Sequence, residues 1–87
     1  MEDNLPILYV KSGCPWCDEA REFLVGHGIS HRERDVTADD QARETMQRIS
    51  GQTKAPTLDW HGHVLADFGV EELVDFLHEH NVVLEDS

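Results

Sequence analysis

The stretch KSGCPWCDEAREFL, residues 11–24, holds both cysteines of the chain, Cys14 and Cys17, and it limits the fold more than any other feature. The thiols are spaced by Pro15 and Trp16 and stand between two segments of opposite character. Before them, residues 5–10, LPILYV, are aliphatic and β-branched, too short for a helix, and read as a buried strand. After them, from about Trp16, Ala20, Phe23 and Leu24 recur at i, i+3, i+4 spacing and mark one face of a helix that Gly26 and Gly28 stop. The cysteine pair therefore lies on a strand-to-helix turn. Cys14 is expected at or next to the helix N-cap, where free N–H groups and the positive end of the helix dipole stabilise a thiolate. Lys11 adds positive charge nearby. Cys17 lies one helical turn further in, and Pro15 suits the first helical position, where a missing N–H costs nothing.

The remaining pattern extends this unit. ISHRERDV, with Ile29 and Val36 as its apolar ends, reads as a second strand. Thr37 is the expected N-cap of a second helix, with Asp39 and Asp40 in its first turn and Ala42, Met46 and Ile49 on its apolar face; Gly51 ends it. QTKAP is a loop. TLDW and HVLAD form two short strands joined by His61-Gly62, a tight hairpin signal. Val70, Leu73, Val74 and Leu77 mark a third helix ending near Asn81, and the tail is expected to be loose beyond Leu84. The order is β-α-β-α-β-β-α. The first two strands should be parallel through a right-handed crossover and the last two antiparallel, giving an α/β fold with a four-stranded mixed sheet flanked by three helices. At 87 residues this is one domain, 1–87.

Charge narrows the partners. Eighteen acidic against seven basic residues leave a net charge of −11, which argues against nucleic acid and anionic membranes. No apolar run approaches membrane-spanning length, and MEDNLPILYV lacks the basic start of a secretory signal, so a cytoplasmic protein is expected. In a reducing compartment a CxxC pair points to catalysis or metal rather than to a structural staple. A disulfide across so short a loop also removes little chain entropy. A zinc site would need two further ligands. The histidine pairs His61/His63 and His78/His80 lack the usual ligand spacing, so no metal is expected. In thiol–disulfide exchange, Cys14 would attack a disulfide and Cys17 would resolve the mixed disulfide, with Trp16 offering an exposed aromatic beside the nucleophile.

Lys11 after a strand, then Cys14-Pro15-Trp16-Cys17 opening a helix, then SGQTKAPTL before a hairpin, together resemble a dithiol glutaredoxin of the thioredoxin-like superfamily. That family carries a Ser-Gly-x-x-x-Val-Pro segment at the last position. The resemblance implies a thioredoxin-like fold and a thiol-disulfide oxidoreductase that draws electrons from glutathione, acting on protein disulfides or glutathione mixed disulfides. It implies a monomer served by a reductase system. It makes Pro56 a cis-proline facing the thiols, with the N–H and C=O of Ala55 open to an extended substrate backbone. Lys11 matches the lysine that meets the glycine carboxylate of glutathione, and Gln52 and Lys54 fall where other contacts to it arise. Pro15 and Trp16 border the same site, Trp16 in place of the commoner tyrosine. The family's double glycine before the last helix is absent from VLADFGVEE, residues 64–72. Asp67 is expected to cap that helix or to approach the γ-glutamyl group, where an acid fits the α-amino group and repels the α-carboxylate. Two other readings stand beside this one: a redoxin served by a thioredoxin-type reductase, and a non-enzymatic iron-sulfur module, which the rigid Pro15 disfavours.

Overall fold

A computed structural model describes residues 5–84. Its elements follow the expected order: β1 (Ile7–Val10), α1 (Pro15–Gly26), β2 (Arg32–Asp35), α2 (Asp40–Ser50), β3 (Thr57–Trp60), β4 (His63–Ala66) and α3 (Val70–Glu79). The four strands form one sheet in the order β2-β1-β3-β4. β1 and β2 run parallel with Ile7 opposite Arg32, while β1–β3 and β3–β4 are antiparallel, with Leu8 opposite Leu58 and Thr57 opposite Ala66.

The apolar run of β1 is explained by its central place. Leu8 and Val10 face a core built with Cys17, Ala20 and Leu24 of α1, Leu58 of β3, and Leu73 and Leu77 of α3. Tyr9 points to the opposite face and packs with Val36, Ala42 and Met46. A strand covered on both faces has no solvent side to place polar residues on, so it reads as continuous rather than alternating. β2, at the sheet edge, is the charged segment RERD. Charge on an unpaired edge opposes strand addition by another chain.

Several boundaries differ from the sequence expectation, among them β4, which ends at Ala66 because Asp67 takes a positive φ of 54°. β1 begins at Ile7 rather than Leu5, because Pro6 has no N–H; its carbonyl accepts from Arg32 N–H at 2.8 Å. β2 is shorter than Ile29–Val36. Ile29 belongs to the turn closing α1, where its N–H donates to Leu24 C=O at 2.9 Å behind Gly28 at φ +70°. The N-cap of α2 is Asp39, not Thr37: its carboxylate accepts from Gln41 N–H at 3.0 Å and Ala42 N–H at 3.3 Å. α3 stops at Glu79, and Asn81 takes the left-handed conformation at φ +62° that turns the chain away. The expected looseness of the tail falls on residues outside those described. The hairpin is as read: His61 and Gly62, both at positive φ, join Trp60 to His63.

The cap assignment makes a prediction. Asp39→Ala should cost about 1 kcal/mol of stability in urea unfolding. A larger loss from Thr37→Ala than from Asp39→Ala would return the cap to Thr37.

Candidate redox site at the head of helix α1

β1 delivers the chain into the turn Lys11–Gly13, where Gly13 at φ +69° bends it toward α1. Cys14 is the N-cap in extended conformation and Pro15 the first helical residue. Cys14 Sγ accepts from the N–H of Cys17 at 3.2 Å, so sulfur takes the place of the usual capping oxygen. Both thiols are free. Cys14 is half-buried and reachable, while Cys17 is wholly buried in the core between β1 and α1. Burial pushes the Cys17 thiol up to about 12, helped by its hydrogen bond with Cys14. Cys17 is therefore a neutral thiol at physiological pH, and only Cys14 is presented to a substrate.

The turn is held from outside by residues the sequence reading did not single out. Ser12 Oγ donates to Asp35 Oδ2 at 3.2 Å, and its N–H lies 3.4 Å from Thr37 Oγ1. Asp35 also accepts from Thr37 N–H at 2.8 Å and from the Thr37 hydroxyl. These bonds hold the Asp35 carboxyl below the ordinary carboxylate range. They also occupy Thr37, which is why it does not cap α2. Asp35 and Ser12 are twenty-three residues apart in sequence, so no local pattern signals the contact.

The second wall comes from the loop before β3. Gln52 is spent inside it, donating from Nε2 to Ser50 Oγ at 2.9 Å and to Thr57 Oγ1 at 3.1 Å. Thr57 in turn donates to Lys54 C=O at 2.8 Å. The Ala55–Pro56 bond is cis, with Pro56 buried and Ala55 packed against the same core as Cys14. Pro56 C=O accepts from Asp67 N–H at 2.9 Å, which ties the loop to the segment before α3.

The remaining expected residues divide between two sides. Lys11 borders a groove with Thr37, Asp40 and Arg43. Trp16, 59% exposed, borders another of about 310 Å³ with Asp67, Phe68, Gly69 and Glu72. Lys54 Nζ stands 3.9 Å from Asp67 Oδ2, an exposed pair worth little in stability. Asp67 does not cap α3. The cap position is Gly69, two residues later, and Glu72 Oε1 accepts its N–H at 2.9 Å. Asp67 instead sits at φ +54° in the bend between β4 and α3. Gly69 is closely approached: a Cβ there would lie 3.1 Å from Trp16 Cζ3, so a side chain at this position would push the exposed indole aside by a few tenths of an ångström. Glu72 was missed at the sequence level, although an acid three residues after a helix start is half of a capping-box signal.

Among the described residues, no group of three or more His, Cys, Asp or Glu side chains is arranged to hold a metal ion. His63 and His80 stack on each other with centroids 4.5 Å apart. No helix in the described residues is long and apolar enough to cross a membrane.

Comparison with known proteins agrees with this geometry. The glutaredoxin family model matches residues 7–65, which span β1 through most of β4. An uncharacterized glutaredoxin-like 8.6 kDa protein in the rubredoxin operon of Clostridium pasteurianum is 29% identical over 66 residues, covering 76% of this chain and 88% of that protein. Glutaredoxin 3 of Escherichia coli K12 is 33% identical over 51 residues, covering 59% of this chain and 61% of that protein. A crystal structure of the thioredoxin-like protein BC3987 superposes with a TM-score of 0.76 at 30% identity, covering 83% of this chain and 99% of that one. With a matched segment that carries the CPWC turn and the cis-proline loop on a thioredoxin-like fold, the chain belongs to the glutaredoxin family.

Proposed function

We propose that this chain reduces disulfides by a dithiol mechanism in which Cys14 is the nucleophile and Cys17 the resolving thiol. The observation that carries this is the unequal setting of the two thiols: Cys14 is reachable at a helix N-cap, its sulfur accepting the Cys17 backbone N–H at 3.2 Å, while Cys17 is buried and protonated. Cys14 sulfur attacks one sulfur of the substrate disulfide. The S–S bond breaks, and the leaving sulfur departs as a thiolate that takes up a proton. Cys17 then loses its proton and attacks Cys14 sulfur, forming the Cys14–Cys17 disulfide and expelling the second substrate sulfur as a thiol. Two electrons have passed to the substrate. Trp16, Ala55 and Pro56 would border the docked chain, and Pro15 holds the helix start rigid. The protein acts as a single domain and a monomer in the cytoplasm.

Glutathione is the electron donor this reading takes from the family, with Lys11 and Lys54 as cations for its carboxylates. A second reading, a reductase protein as donor, is favoured by Glu72, which already occupies the N–H at the head of α3. Steady-state reduction of a glutathione mixed disulfide separates them: turnover should appear with glutathione and glutathione reductase. Turnover with thioredoxin reductase alone would replace the first reading by the second. On that same substrate, Cys17→Ser should remain active, since glutathione itself can release the adduct on Cys14. Complete loss of activity would establish that Cys17 is needed in every cycle.

Iodoacetamide at mildly acidic pH should label Cys14 and leave Cys17 unmodified until the protein is unfolded; preferential label on Cys17 would reverse their roles. The raised Cys17 value also has a sign. Above its ordinary 9.0 an unfolded chain releases this proton, whereas the folded chain keeps it to about 12. Folding stability is therefore lost as pH rises through that window. Alkaline unfolding curves should fall more steeply for the reduced wild type than for Cys17→Ala, and parallel curves would show that Cys17 ionises freely in the fold.

A further inference from the structure

The groove beside the nucleophile has one sign of charge. Trp16, two residues from Cys14, is flanked on one side by Asp67 and Glu72 and on the other by Glu19 and Glu71. The Lys54 ammonium is engaged with Asp67 at 3.9 Å. A helix N-terminus ordinarily offsets such charge by offering N–H groups to an anion. Here Glu72 Oε1 accepts from the N–H of Gly69, the residue before α3, at 2.9 Å, which sets a carboxylate at that helix end. A ligand carboxylate entering this groove meets carboxylates on both sides, with Glu72 at the helix head among them. A ligand cation meets acids, and the exposed face of Trp16 gives a guanidinium or ammonium a surface to stack on.

We infer that this groove selects a polypeptide disulfide with a basic side chain next to its half-cystine, and discriminates against acidic partners, with Asp67 and Glu72 setting the preference. This rests on the exchange chemistry proposed above. The electron balance is unchanged: the Cys14/Cys17 dithiol supplies two electrons and ends as a disulfide, and the substrate takes them up with two protons as two thiols.

The test is single-turnover reduction by excess pre-reduced protein, so that no electron donor enters. Three probes are compared: a neutral small disulfide, and two disulfide-linked peptides identical except for Arg or Glu after the half-cystine. The wild type should reduce the Arg peptide about tenfold faster than the Glu peptide at low salt, because complementary charge acts mainly on the encounter rate. That ratio should collapse in 1 M salt, where the screening length is about 3 Å. In Asp67→Asn/Glu72→Gln the ratio should fall to within about twofold. Both changes suit their sites: Asn tolerates the positive φ of position 67, and the Gln amide oxygen can still accept from Gly69 N–H. Equal rates for the two peptides in the wild type, with the neutral disulfide reduced, would overturn the inference alone. A ratio that persists in the double variant would also overturn it. No reduction of any of the three probes would overturn the exchange chemistry on which it rests.

Discussion

A sulfur caps helix α1. Cys14 Sγ accepts the backbone N–H of Cys17, so the contact that starts the helix also holds the two thiol residues within one turn of each other. The arrangement needs β1 to stop at Val10 and α1 to start at Pro15, with only a four-residue turn between. It also needs Cys17 driven into the core. β1 meets both needs because it is buried on both faces: it anchors the turn and, through Leu8 and Val10, forms the wall against which Cys17, Ala20 and Leu24 pack. Burial then sets the chemistry of the second thiol, since a thiolate in that place would be stripped of water.

Around this contact the molecule uses long-range polar ties to hold short loops. Asp35 and Thr37, at and just after the end of β2, grip Ser12 in the turn before Cys14. Gln52 ties the cis-proline loop to Ser50 and Thr57, and Pro56 carries the tie onward to Asp67. Three loops are thus set relative to one thiol by side chains that do no chemistry. Loops held in this way keep a reacting centre in register without regular structure of their own.

The two sides of the site differ in charge. Lys11 shares its groove with Arg43 and Asp40, whereas the Trp16 side is acidic throughout. The cap on Gly69 makes the difference sharper: in place of a bare helix end that would welcome an anion, α3 begins with its own carboxylate in position. The double glycine that the family resemblance leads one to expect before this helix is absent: the segment VLADFGVEE has one glycine, Gly69, and Trp16 packs close to it.

Much of this was legible in the residues. The strand-turn-helix unit, the cap role of Cys14 and Pro15 at the helix start follow from short-range rules, because capping and proline stereochemistry act within a few residues. The same holds for the His61-Gly62 hairpin, where two left-handed positions suffice. The cis bond at Pro56 followed from the family resemblance, not from local chemistry. What the residues alone did not reveal was contested by distant partners. Thr37 is an acceptable cap in isolation, but its hydroxyl is engaged with Asp35 and Ser12 and the intrinsically stronger Asp39 takes the position. Asp67 is a fair helix cap by composition, but its N–H is drawn to Pro56 and the helix begins two residues later. Sequence alone determined the order of elements and the location of the thiols, since both depend on neighbours along the chain. The greater burial of Cys17 was also legible from its place one turn into the helix, whereas tertiary structure decided how complete that burial is, which polar groups are engaged and where the acids gather around Trp16. Those properties depend on packing between segments whose contact no local spacing encodes.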